Sequence, residues 1–278
     1  MNILYEEFTQ CCPAGEVPDS GIFESIAAQI LRWKEWAREL ATPGIYDNLD
    51  KIDAEPITED YDRLVSLRRY LVGMICSFAF EDAIPQLDLV LTPTGFGIVS
   101  NQNVAPASVD RVNALKSRMR NQGWTYFEEA VDILRHLDAF KTSKLCSSVF
   151  QSLFWKSSHL HVFGIPNPTY DNLREKNRDI IREQPFLIQY ISPEQFAAFL
   201  RSEALATTTT IQGIAIQMCR VFFAIEGTQA KNAQKLAILN FMEQHPDEFP
   251  EYMNSVTYKA NHFQRYENQK DDSCFFFG

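Results

Sequence analysis

A long amphipathic segment in the first half constrains the fold more than any other feature of this sequence. From about Thr58 to about Asp82, apolar residues recur at steps of three and four, as they do along one face of an α-helix. Thr58 is a suitable N-cap for this helix. The stripe comprises Tyr61, Leu64, Val65, Leu71, Val72, Ile75, Cys76 and Ala79. Because so long a stripe needs apolar partners along its whole length, the sequence predicts a helical body.

Three further helical patterns occur in the first half of the chain. One follows the PDSG at 18–21 and stops at the TPG at 42–44. Another begins after Ser108, a suitable N-cap, and a fourth pattern follows Gly123. The first half is therefore expected to contain four helices.

The second half continues the helical theme without an obvious sequence repeat. A helix is predicted from Tyr170, ending before Pro185 because proline disrupts a helix interior. The SPEQ at 192–195 combines a serine N-cap, a proline at the first helical position and a glutamine at the capping-box position. The TTTT at 207–210 offers further caps, and a last helix precedes Pro246. These patterns predict a mainly α fold.

Between the second and third helical patterns the apolar period changes. LDLVL and FGIVS are short runs rich in aliphatic and aromatic residues, separated by TPTG. Pro93 presets a turn and Gly95 can accept a positive φ, which predicts a β-hairpin over residues 88–100. A polar, proline-broken segment at 101–108, which we call the strap, follows. The predicted fold class is mainly α, a helical bundle with an inserted β-hairpin and an extended C-terminal tail.

Three regions are expected along the chain. The first is a helical region at 1–138 that contains the hairpin, and the second is a helical region at 139–266. The glycine- and proline-containing stretch within 139–168 indicates a boundary or a long surface excursion. The third is a tail at 267–278, where polar residues precede three phenylalanines. Such an aromatic cluster either folds back on its own core or docks on another molecule.

Composition disfavours two classes of partner, nucleic acids and membranes. A net charge of -10 and a pI of about 5 disfavour sequence-independent nucleic-acid binding, which needs many lysines and arginines. No apolar run approaches the roughly 20 residues that span a bilayer, and the N-terminal stretch is acidic, unlike a secretory signal. We therefore expect no membrane association. The six cysteines show neither zinc-ligand spacing nor a framework of bridged loops, which indicates reduced thiols.

No constellation of residues indicates catalysis, and we expect the chain not to be an enzyme. The GFG at 95–97 lacks the rest of a phosphate-binding motif, and no GxSxG marks a nucleophile. His159 and His161 would share a face of an extended segment and could form half of a metal site. Because no further ligand lies beside them, exposed polar residues are the favoured interpretation. We expect no catalytic residue, no cofactor and no metal.

One segment resembles a known family. LVLTPTGFGIVSNQNVAPAS at 89–108, together with CFFFG at 274–278, resembles uncharacterised proteins of phages and prophages of Bacteroides-type bacteria. The match is close over Leu91 to Ser108 and looser over most of the chain. The resemblance implies a structural virion protein of the neck, similar to the helical head–tail connector or adaptor proteins that form a ring between portal and tail. It brings no catalytic motif with it.

The resemblance also implies partners and a location. The partners would be the portal protein and other neck or tail proteins, in a homo-oligomeric ring of about 12 copies. DNA would only pass through the bore, and the chain would be in the host cytoplasm before it joins the virion neck. The implied inter-subunit or partner contacts are Pro93, Gly95, Phe96, Gly97, Asn101, Gln102, Asn103, Phe275, Phe276 and Phe277.

Alternatives remain open at this point. The hairpin, strap and tail could form an intramolecular cap instead of contacts between subunits. The chain could also be a phage-encoded enzyme, a nucleic-acid-handling protein, or an assembly chaperone that is absent from the finished particle.

Overall fold

The computed structural model describes residues 1–13, 21–54, 60–87, 89–92, 95–98 and 108–262. Short 3-10 helices span Leu49–Ala54, Ser157–Phe163 and Pro246–Glu248. Two strands span β1 (Leu89–Thr92) and β2 (Gly95–Ile98). The α-helices of the described residues are α1 (Tyr5–Cys11), α2 (Ile22–Ser25), α3 (Ala27–Ala41), α4 (Pro43–Tyr46), α5 (Tyr61–Leu87), α6 (Val109–Leu134), α7 (Asp138–Lys141), α8 (Lys144–Val149), α9 (Tyr170–Ile191), α10 (Pro193–Ala204), α11 (Thr210–Ala224), α12 (Thr228–Gln244), α13 (Pro250–Met253) and α14 (Val256–Asn261). Within these ranges no helix combines the length and apolarity that a bilayer span requires.

The first hydrophobic core is built around α5. Every residue of this helix from Leu71 to Phe80 is buried, so α5 is enclosed on all sides by α1, α3 and α6. Helices α5 and α6 lie antiparallel and form the largest helix–helix contact among the described residues. The helical body predicted from the amphipathic stripe is therefore present.

Two glycines allow α5 and α6 to approach closely. A Cβ atom added at Gly123 of α6 would lie 2.6 Å from the ring of Phe78 in α5. A Cβ atom added at Gly73 of α5 would lie 2.6 Å from the ring of Tyr126 in α6. Each aromatic ring thus occupies the space that a side chain on the facing helix would fill. The expectation that Gly123 separates two helices was wrong, because α6 runs unbroken through it.

The second hydrophobic core is formed by α9 to α13. Its largest fully buried side chains include Phe199, Phe249 and Tyr252. The serine and threonine caps predicted for this half are present: the Ser192 side chain accepts a hydrogen bond from the Gln195 amide and Thr209 forms a capping box with Gln212. The Gln195 side chain accepts instead from the Tyr252 amide, at 3.1 Å. Helix α10 is thereby tied to α13.

Helix α9 continues through Pro185, against the prediction that it ends there. A proline inside a helix removes one backbone hydrogen bond and costs about 3 kcal/mol. Beyond it, Leu187 and Ile191 are buried in the second core, and the Gln184 side chain donates to the Gln151 carbonyl. We infer that this packing offsets the cost of the proline.

Part of the stretch at 139–168 is buried between the two cores, while other residues of the stretch are exposed. Phe154 lies in the second core while its neighbour Trp155 lies in the first. Tyr170, at the start of α9, stacks on Trp124 of α6 with ring centroids 4.0 Å apart. The two cores are therefore in direct contact. The predicted boundary after residue 138 stays a prediction.

The predicted fold class, a helical bundle with an inserted β-hairpin, requires a correction. The helical body contains no β-hairpin as one of its components. Strands β1 and β2 pair antiparallel, with Leu89 opposite Ile98 and Thr92 opposite Gly95. This ribbon has four residues on each side and, within the described residues, adds no layer to the helix packing. A lone two-stranded ribbon is only marginally stable. The body is therefore helical with two cores, and the predicted tail at 267–278 lies outside the described residues.

Candidate functional site

The residues predicted to make partner contacts fall into two groups. Gly95, Phe96 and Gly97 form most of β2, and only their backbone is described. Gly95 lies opposite Thr92 at the end of the ladder. The remaining predicted contacts lie outside the described residues: Pro93, Asn101, Gln102, Asn103, Phe275, Phe276 and Phe277.

The two histidines considered as half of a metal site do not share a strand. Both lie in the 3-10 helix Ser157–Phe163, where positions two apart point in different directions. The His159 ring packs edge-on against Trp155, and burial together with the nearby Arg220 lowers its pKa to about 2. His161 pairs through Nδ1 with the Ile165 carbonyl at 3.0 Å. Among the described residues, no three His, Cys, Asp or Glu side chains form a group that could hold a metal.

A buried ion pair is the most strongly charged feature of the joint between the cores. Glu203 Oε2 lies 3.1 Å from an Arg220 guanidinium nitrogen and accepts from the Trp155 indole at 2.7 Å. The same arginine donates through Nε to the Leu153 carbonyl at 2.9 Å. Burial lowers the pKa of Arg220, and the Glu203 carboxylate opposes that shift. Since each group is already satisfied by protein partners, we assign this network to holding the cores together.

Glu128 forms a second buried contact across the joint. Its carboxylate accepts from the Ser157 amide at 2.8 Å and from the Ser157 hydroxyl at 2.7 Å. Burial raises the pKa of Glu128, and these two hydrogen bonds oppose the rise. The carboxylate thus anchors the start of the 3-10 helix to α6.

A long groove runs between α9 and α12. It consists of two adjoining cavities of about 550 Å³ and about 510 Å³, a size within the usual range for binding sites. Both cavities are lined by Glu183, Phe186, Gly227 and Lys231. Gly227 has a φ of 87°, which bends the chain into the start of α12.

The walls of the groove combine aromatic rings with amines. Phe186 is 60% exposed and lines both cavities. Lys231 pairs with Glu183 at 2.7 Å and lies 5.3 Å from the Phe222 ring centroid. Lys235 places its ammonium 3.4 Å from the Tyr190 ring centroid. The lining also contains the carboxylates of Asp179, Glu183 and Glu226, so it carries charges of both signs beside its aromatic rings.

Comparison with known proteins reaches only the first core. Residues 29–149 match the family described as DUF6712, a family of unknown function. The matched range extends from α3 to the end of α8 and includes the connection between α5 and α6, and it is less than half of the chain. No match was found among curated proteins or among solved structures. The groove between α9 and α12 lies outside the matched range.

Sequence reasoning missed the groove because its walls come from distant parts of the chain. Phe186 and Lys231 meet only after α9, α11 and α12 have packed. One local signal exists in the sequence. Phe186 is a large aromatic residue beside the buried stripe of α9, which includes Ile180 and Leu187.

Proposed function

We propose that this chain is a structural virion protein, a head–tail connector or adaptor that forms a ring in a phage neck between portal and tail. The proposal rests on the resemblance over Leu91 to Ser108. The structural feature that supports it most is the connection between α5 and α6. This segment spans residues 88–108 and lies within the range matched by the family of unknown function.

Residues 73–81 of α5 pack closely on residues 120–126 of α6. Helices α5 and α6 are held together by the glycine–aromatic contacts, and Glu81 of α5 pairs with Arg120 of α6 at 2.6 Å. Because the helices are antiparallel, the connection leaves the body at one end of the pair. Its strands pair with each other and add little to the described body. A segment of this kind suits contacts between subunits, since ring subunits exchange backbone or aromatic contacts with their neighbours.

In the proposed ring, residues of the ribbon and strap contact adjacent copies or the portal. The phenylalanines at 275–277 act as a second contact on a neighbour. The copies assemble from the host cytoplasm, and DNA passes through the bore without being bound for its sequence. No membrane takes part in this assembly.

Purified particles of the phage that encodes the chain provide the test. Mass spectrometry should detect the chain in the particles, and imaging of the neck should place it in a ring beside the portal. A variant in which residues 89–98 are replaced by a glycine–serine linker should be absent from particles. Its helical circular dichroism and thermal unfolding should match those of the unmodified protein, because β1 and β2 add little to the described helix packing.

Leu31→Ser is the matched control. Leu31 is 59% exposed on α3, so its loss should change neither the fold nor incorporation into particles. The proposal fails if the chain is absent from the neck, or if the linker variant enters particles as efficiently as the control. An enzyme or an assembly chaperone would give the first of these results.

A further inference from the structure

Three cysteines meet where the end of α1 packs against α5. Cys11 is the last residue of α1, Cys12 is its C-cap, and Cys76 lies in the middle of α5. The Cys12 Sγ donates to the Cys76 carbonyl at 3.5 Å, and the side chains of Cys11 and Cys76 are hydrogen-bonded to each other. Each of the three is a free thiol in the structure. The fold therefore brings two neighbouring thiols of one helix onto a third thiol of another.

The three thiols differ in their access to solvent. Cys76 is fully buried and Cys12 is nearly so, whereas Cys11 is half-buried and lies close to the exposed Pro13. The Cys11 carbonyl accepts a hydrogen bond from the Gln122 side chain at 2.9 Å, which holds the end of α1 against α6 as well as α5. A small oxidant that approaches from solvent would therefore meet Cys11 first.

The hydrogen bond between Cys11 and Cys76 also gives the two thiols different reactivities. It lowers the pKa of Cys11 and raises the pKa of Cys76, because the Cys76 thiol donates to a Cys11 thiolate. Burial raises the pKa of Cys12. Since the thiolate is the form that reacts with oxidants, Cys11 is the nucleophile of this group, and Cys76 is the thiol placed to react with it next.

We propose that Cys11 and Cys76 form a disulfide under oxidising conditions and thereby link α1 covalently to α5. Hydrogen-bonded thiols already face each other, which is the arrangement from which a disulfide can form without a large backbone movement. In a reducing environment the pair stays as two thiols, and the link forms when the protein enters an oxidising one. This inference goes beyond the proposed function and does not depend on it.

Hydrogen peroxide can serve as the oxidant in two steps. The Cys11 thiolate attacks one peroxide oxygen and the O–O bond breaks. Cys11 becomes a sulfenic acid, and the released hydroxide takes a proton from solvent and leaves as water. The Cys76 sulfur then attacks the Cys11 sulfur, so that the S–S bond forms, the S–O bond breaks, and the hydroxide leaves with the Cys76 proton as a second water. The two thiols together lose the two electrons that the peroxide gains.

The link would act on the unfolded state. It closes the chain between residues 11 and 76 into a loop that includes α2, α3 and α4. A disulfide across a loop of this length removes much of the conformational freedom of the unfolded chain. The oxidised protein should therefore have a Tm roughly 10 °C above that of the reduced protein.

Disulfide mapping of the oxidised protein tests the proposal. Full-length protein carrying Cys274→Ser is treated with hydrogen peroxide in native buffer, and its peptides are analysed by mass spectrometry without reduction. We expect a linked pair of peptides, one containing Cys11 and Cys12 and the other containing Cys76, which dithiothreitol separates. Absence of the linked pair, or oxidation of Cys11 to sulfinic acid without a link, would overturn the proposal.

Variants assign the link, because Cys11 and Cys12 occur in the same peptide. Cys11→Ala should reduce the yield of linked peptides at least about 10-fold, since it removes the nucleophile, whereas Cys12→Ala should leave the yield unchanged. Cys146→Ala is the matched control for loss of a buried thiol, because Cys146 is as buried as Cys12 but lies on α8. Loss of the link in Cys12→Ala together with its persistence in Cys11→Ala would contradict the assignment.

Thermal unfolding followed by circular dichroism tests the effect of the link. The Tm of the Cys12→Ala variant should rise on oxidation by roughly 10 °C, and that of the Cys11→Ala variant should not change. An equal rise in both variants, or no rise in either, would show that a link between α1 and α5 is not what oxidation produces.

Discussion

Substitution of Gly123 by alanine tests the account of the α5–α6 contact. In an open helix interior, glycine to alanine stabilises by about 1 kcal/mol. At Gly123 the new methyl carbon would lie 2.6 Å from a ring carbon of Phe78, whereas carbon atoms normally approach to about 3.5–4.0 Å. The ring or the helix must therefore move by about 1 Å. Overpacking of this kind costs about 1–3 kcal/mol.

The Phe78 ring has little freedom to move. It stacks on Trp33 with ring centroids 4.4 Å apart and contacts Trp124 edge-on at 5.0 Å. We therefore place Gly123→Ala at the upper end of the overpacking range, a net loss of about 1–2 kcal/mol after the gain in helix propensity. Gly73→Ala should cost less, because the Tyr126 ring that it meets is only half-buried.

Gly213→Ala is the matched control. Gly213 also lies inside a helix, α11, but an added Cβ there meets only a Thr208 methyl group at 3.9 Å. This variant should gain up to about 1 kcal/mol. The free energy of unfolding is measured by urea denaturation followed by circular dichroism. The double variant Gly123→Ala with Phe78→Leu should show a favourable coupling of about 1 kcal/mol or more, because the smaller side chain leaves room for the methyl group.

Two results would refute this reasoning. One is a Gly123→Ala variant as stable as Gly213→Ala, and the other is strict additivity in the double variant. Either would show that α5 and α6 do not approach as closely as the structure indicates.

Three further predictions concern single groups. In the unfolded chain His159 is protonated below about pH 6.5, whereas in the folded protein its pKa is about 2. Between these two pH values the unfolded state binds one more proton than the folded state does. The free energy of unfolding should therefore decrease as the pH falls from about 6.5 to about 2. His159→Phe should reduce the slope of unfolding free energy against pH there, and an unchanged slope would contradict the assigned burial. The hydrogen bond with Cys76 lowers the pKa of the half-buried Cys11. In a Cys274→Ser variant, iodoacetamide should therefore label Cys11 before the other cysteines. Peptide mass spectrometry measures the order of labelling. Arg220→Met should lower the free energy of unfolding by about 3 kcal/mol, because it leaves Glu203 buried without its cation. The double variant Arg220→Met with Glu203→Leu should recover most of this loss. Equal stability of the single and the double variant in urea denaturation would argue against the buried pair.

Much of the secondary structure was predictable because its signals are local. The caps at Ser108, Ser192 and Thr209 operate within three residues of the helix start, and all three are present in the structure. The stripe beginning near Tyr61 predicted the helix α5 but not its burial, because α5 is buried on all sides from Leu71 to Phe80 while Val65 of the stripe is 42% exposed. The mainly helical class followed from these features. The residues assigned to partner contacts stay a prediction.

What the sequence determined by itself was where the longer helices form. Tertiary structure decided whether Gly123 and Pro185 end a helix. Gly123 reads locally as a helix break, yet it is buried one turn from Met119 and Phe127 and receives the ring of Phe78. Pro185 reads as a helix end, yet α9 continues because its later turns are buried. The physical reason is that local propensities amount to about 1–3 kcal/mol, whereas burial of several large side chains contributes more. The groove beside Phe186 exists only because separate helices meet, and no local pattern encodes it.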